Sequence, residues 1–77
     1  MVKIYEDDIK RYREAFCDNL TELMGDKNLA QWCREHGIPH GTALCWLRKT
    51  SLPSVEYLAA LAKKFGVSID YLIGLAD

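Results

Sequence analysis

Apolar side chains in this chain recur at intervals of three and four, and no segment alternates with a period of two. The α-helix is the backbone that gathers such residues on one side. Ile9, Tyr12, Phe16, Leu20 and Leu23 form the longest stripe and predict a first helix over about residues 8–25. Asp7 and Asp8 can cap its start, and Gly25 ends it. Residues 1–6 carry no period, so 1–7 read as an N-terminal arm and 8–77 as one domain. Asn28 is a good N-cap for a second helix, residues 29–36, stopped by Gly37. Pro39 biases Ile38 away from helix, which makes Ile38-Pro39 a connection. A third helix is expected over residues 40–48, although Gly41 weakens its first turn. After a loop over residues 49–53, Ser54 caps a fourth helix whose face carries Val55, Leu58, Ala59, Leu61, Ala62 and Phe65. Gly66 closes it, and Ser68 caps a fifth with Ile69, Leu72, Ile73 and Leu75. The fold class expected is all-α, five short helices in one bundle.

A chain of 77 residues holds one domain and one modest core, and its 49% hydrophobic and 27% charged residues are globular rather than disordered composition. No apolar run approaches the roughly 20 residues of a membrane span, and the start lacks a signal peptide's apolar stretch, so the cytoplasm is the expected location. Cys17, Cys33 and Cys45 are odd in number with no Cys-x-x-Cys spacing, so no disulfide framework is expected. The net charge of −1 hides an uneven distribution. Residues 27–52 hold Lys27, Arg34, Arg48 and Lys49 against Glu35 alone, while acidic residues outnumber basic ones on either side. Chance patchiness of a short chain is the bland explanation. A basic binding face is the other.

The basic segment has the residue demands of a helix-turn-helix over residues 28–48. Cys33 is a small residue where two short helices would cross, Gly37 suits a turn needing φ > 0, and Trp32 and Trp46 are expected in the core. On a helical wheel Ala43, Trp46 and Leu47 point inward, and Gly41, Leu44, Cys45 and Arg48 outward. From about residue 16 to 77 the chain resembles the Cro/lambda-repressor (XRE) family of transcriptional regulators. The resemblance is strongest in Leu52-Pro53-Ser54-Val55-Glu56-Tyr57-Leu58 and in Leu61-Ala62-Lys63-Lys64-Phe65-Gly66-Val67-Ser68-Ile69-Asp70-Tyr71-Leu72-Ile73-Gly74. Gly37-Ile38 and Thr42 to Trp46-Leu47 match that family's turn and recognition helix. It implies a five-helix lambda-repressor-like DNA-binding domain, here with an extended first helix, with double-stranded DNA as partner and often a homodimer on a palindromic site.

Carried over residue by residue, the base-facing positions correspond to Pro39, His40, Gly41, Thr42, Leu44 and Cys45. None is Gln, Asn, Arg or Lys, the residues that make bidentate contacts with purines. Leu44 and Cys45 can touch thymine methyl groups, and His40 and Thr42 can donate hydrogen bonds. Leu29 stands where the family commonly has a phosphate-binding Gln. The expected phosphate contacts are Lys27, Asn28 and Leu29 at the start of the second helix, Arg34 along it, and Arg48, Lys49 and Ser51 after the third. Each has a plainer alternative as a cap or a solvated helix end.

The function expected is sequence-specific DNA binding by a transcriptional regulator. A protein–protein interaction module on the same fold, using Leu44, Cys45, Ile73 and Leu75, is the alternative. No catalytic motif points to an enzyme, and no cofactor or small-molecule effector is suggested. Cys33, His36, His40 and Cys45 are zinc-ligand types, but Cys33 and Cys45 are expected on opposite sides of the helix pair, so no metal is expected. A homodimer through the C-terminal helix is expected if Ile69, Leu72, Ile73 and Leu75 leave a surplus apolar side. Packing against Tyr12 and Phe16 would instead absorb them.

Overall fold

The structure is a computed structural model that describes residues 5–75. Five helices follow in chain order: α1 (Glu6–Met24), α2 (Leu29–His36), α3 (His40–Leu47), α4 (Val55–Phe65) and α5 (Ile69–Leu72). There is no strand among the described residues, and none of the helices is long and apolar enough to cross a membrane. The architecture is all-α, as the periodicity predicts.

Local chemistry explains most of the boundaries. The side chains of Asn28, Ser54 and Ser68 accept hydrogen bonds from the amides of Gln31, Tyr57 and Tyr71, satisfying donors that a helix start leaves open. Gly37 and Gly66 close α2 and α4 in the left-handed region, at φ 69° and 67°. Three boundaries differ from expectation. α1 begins at Glu6 after an extended Tyr5, so Glu6 and Asp7 belong to the helix rather than to an arm. Asp7 and Asp8 are therefore not caps. They lie with Glu6 in the first turn, where carboxylates suit the positive end of the helix dipole. Residues 1–4 of the expected arm lie outside the described residues. Arg48 caps α3 rather than extending it. α5 is a single turn, with Ile73 and Leu75 beyond its end.

Every helix contributes to one core: Phe16 and Leu20 from α1, Trp32 and Cys33 from α2, Ala43 and Trp46 from α3, Leu58 and Leu61 from α4, and Leu72 from α5, with Ile38 from the turn. Trp46 is its centre. Phe16 meets it edge-on at 5.8 Å between ring centroids, and Tyr57 does so at 5.5 Å. The ring of Trp32 lies nearly parallel to that of Phe65, with 6.3 Å between centroids. Two polar contacts tie α1 to the elements it packs on. The Cys17 thiol donates to the Leu47 carbonyl at 3.4 Å, and the Asn19 amide donates to those of Tyr71 and Leu72 at 2.8 and 3.4 Å. Gly74 then passes so close to α1 that a Cβ there would sit 2.7 Å from that of Ala15.

Candidate nucleic-acid interface

α2 and α3 are joined by Gly37, Ile38 and Pro39 alone. The amides of Gly37 and Ile38 both donate to the Cys33 carbonyl, which turns the chain sharply at the end of α2. Ile38 is buried and anchors the connection, and Pro39, with extended ψ, starts α3 at His40. The docking of α3 follows the wheel. Ala43 and Trp46 are buried, while Gly41, Cys45 and Arg48 are exposed and Leu44 is half-buried. Pro39 and His40 are exposed and Thr42 is half-buried, so four of the six expected base-facing residues are exposed on the turn and α3 and two are half-buried. His40 and Pro39 also wall a shallow groove of about 490 Å³ with Arg34, Ala30 and Cys33 of α2 and Gly37 and Ile38 of the turn.

The expected phosphate contacts divide. Arg34, Arg48 and Lys49 are exposed and make no ion pair among the described residues. Lys27 is exposed but its ammonium bonds the Glu35 carboxylate, which also accepts from Gln31 at 3.3 Å. That hydrogen bond from Lys27 is the main reason the Glu35 carboxyl is held below its usual pKa. The start of α2 is thereby partly neutralised. Asn28 is committed as a cap, its Oδ1 accepting from the Gln31 amide at 2.8 Å. Leu29 packs its half-buried side chain against the core. It can offer a phosphate only its backbone N–H, one of the first donors of the helix. Ser51 is half-buried, whereas the neighbouring Thr50 is exposed and its hydroxyl donates to the Cys45 carbonyl at 3.0 Å.

Lys49 is held by the same turn. Its amide donates to the Trp46 carbonyl and that of Thr50 to Cys45, both at 3.1 Å, and its own φ is 63°. This terminates α3 while aiming a cation away from the bundle.

The zinc-ligand types do not converge. Cys33 is buried and Cys45 exposed, and no group of three metal-binding side chains is present among the described residues. Burial pushes the Cys33 thiol pKa up. The ring of His36 lies 4.7 Å from that of Trp32 and 5.4 Å from that of Phe65, and its Nδ1 is buried without a hydrogen-bond partner. Burial lowers its pKa, assisted by Lys64 and Lys27 and opposed by Glu35. At the C-terminal end, Leu72 is fully buried and Ile69 and Ile73 pack against the core. The expected surplus apolar side is reduced to Leu75, which is 60% exposed.

No protein-family model, curated protein or solved structure matches the chain.

The residues that sequence reasoning missed are Glu35, Ala30 and Thr50. Lys27 and Glu35 are eight positions apart across a helix start, so no helical spacing betrays the pair. Thr50 was legible in principle, because Ser and Thr side chains often bond nearby carbonyls.

Proposed function

We propose that this chain is a DNA-binding transcriptional regulator of the Cro/lambda-repressor type, acting in the cytoplasm, that lays α3 in the major groove of double-stranded DNA. The observation that carries the reading is the outer side of α3 flanked by exposed, unpaired cations, Arg34 on α2 and Arg48 and Lys49 beyond its end. In this reading Arg48, Lys49 and the free amides at the start of α2 hold phosphates, and His40 and Thr42 donate to base edges. Leu44 and Cys45 contact thymine methyl groups. Lys27 contributes only after releasing Glu35.

The test is binding of the chain to mixed duplexes over a range of salt concentrations. Replacing both Arg48 and Lys49 with Ala should weaken all duplexes alike and lower the salt slope by about one unit for each phosphate no longer neutralised. An unchanged slope removes both residues from the interface. A second reading, a protein-interaction module, is favoured by the composition of the same surface, where Pro39, Gly41, Leu44 and Cys45 outnumber the polar donors. It predicts no retention on duplex DNA even at low salt.

A further inference from the structure

α1 is 19 residues long, whereas none of its four partners exceeds 11. Its apolar stripe runs past the end of the bundle. Phe16 and Leu20 of the stripe are buried, but the same stripe continues toward the N-terminus through Tyr12 and Ile9, with the extended Tyr5 just before the helix. Tyr5 is 60% exposed, and the half-buried Ile9 and Tyr12 lie outside the packed core cluster. Two large side chains three positions apart, Ile9 and Tyr12, are thus left on the free turns of one helix, with Tyr5 preceding them.

The charges beside this stripe indicate what covers it. Asp8 pairs with Arg11 at 3.2 Å and Lys10 with Glu14 at 3.9 Å, both within α1. Glu6 and Arg13 have no ion pair among the described residues. They are seven positions apart, two helical turns, and so fall on the same edge of the stripe. When two identical helices pair antiparallel, each edge faces the same edge of its partner with the direction reversed. Glu6 then meets Arg13 of the other copy, and Arg13 its Glu6. The stripe is self-complementary in charge. A parallel pairing is sterically excluded, because beyond Phe16 this face of α1 is already occupied by the chain's own core, and the two bundles would collide.

We propose that the free N-terminal turns of α1 join two copies of this chain antiparallel about a two-fold axis, with Ile9 and Tyr12 interleaved at the centre and Glu6–Arg13 ion pairs on the rim. This places the interface at the opposite end of α1 from Gly25 and independent of any DNA contact.

Sedimentation velocity of the whole chain at tens to hundreds of micromolar tests it, with thermal melts confirming that each variant folds. The parent should dimerise. Glu6→Arg alone and Arg13→Glu alone each turn two attractive pairs into repulsive ones and should raise the dissociation constant about tenfold. Combining both reversals restores opposite charges and should return the parent value. Leu75→Ser should leave the dimer intact. A parent monomeric throughout overturns the proposal. So do single reversals without effect, a double reversal that fails to rescue, or dissociation by Leu75→Ser.

Discussion

Lys49 has the one positive φ, 63°, among the described non-glycine residues. A Cβ in this region crowds the following carbonyl and costs about 1–2 kcal/mol relative to right-handed backbone. The conformation persists because the amides of Lys49 and Thr50 and the Thr50 hydroxyl close the end of α3 on the carbonyls of Trp46 and Cys45. Lys49→Gly should therefore stabilise the fold by about 1 kcal/mol, a rise of about 4–8 °C in melting temperature for a domain of this size. On the proposed function it should also weaken duplex binding. A melting temperature that does not rise would show that the turn stores no strain. His36 sets a second residue-scale dependence. Its folded pKa lies below the ordinary 6.5, chiefly through burial, so below that value the unfolded chain takes up the proton first. The stability it contributes is complete above pH 6.5 and is lost as pH falls through the folded pKa. Glu35, lowered from 4.5, acts in the same direction at more acid pH. Between pH 7 and 5, about the window separating these two groups, the urea midpoint should fall in the parent and stay level in His36→Leu. Parallel losses in both would assign the effect to other groups.

At the scale of elements, a helix with its own cap and a helix dependent on its neighbours behave differently. α2 and α4 carry side-chain caps, left-handed glycine stops and at least eight residues each. α5 has four residues, too few to persist alone. It is held from outside. Leu72 fills the core, and the Asn19 side chain donates to the Tyr71 and Leu72 carbonyls at the helix end. Asn19→Ala should cost about 1–2 kcal/mol and raise amide exchange in residues 69–75 before that of α2 or α4. Uniform exchange across all helices would mean that α5 is not separately tethered. Gly74 completes the attachment, since its φ of 81° and its approach to Ala15 exclude a side chain. The third helix shows the limit of local rules. Arg48 continues the sequence pattern of α3, but the turn at Lys49 and Thr50 stops the helix at Leu47.

Across the whole molecule, legibility follows the range of the forces involved. Capping, glycine stops and apolar period act within a few residues. Asn28, Ser54, Ser68, Gly37 and Gly66 could therefore be assigned their positions, and the inward side of α3 could be read from Ala43 and Trp46. The same locality explains the errors. Periodicity reports that Ile9, Tyr12, Ile69, Ile73 and Leu75 lie on apolar stripes but not how far the neighbouring helices reach. Only packing shows that α5 surrenders Ile69, Leu72 and Ile73 to the core, while α1 outruns the bundle and leaves Ile9 and Tyr12 half-buried outside the core and Tyr5 exposed before its start. The candidate interface divides in the same way. Its outer residues Gly41 and Cys45 follow from helical geometry, whereas Pro39 and His40 were expected there only from the family resemblance. The engagement of Lys27 by Glu35, the inward packing of Leu29 and the strained turn at Lys49 required the folded chain. The sequence by itself determined five helices, the N-caps of α2, α4 and α5 and the outward side of the third, because those depend on neighbours along the chain. Which cations stay free, which apolar side chains stay uncovered and where α5 is fastened were decided by the tertiary structure, because those depend on residues distant in sequence and adjacent in space.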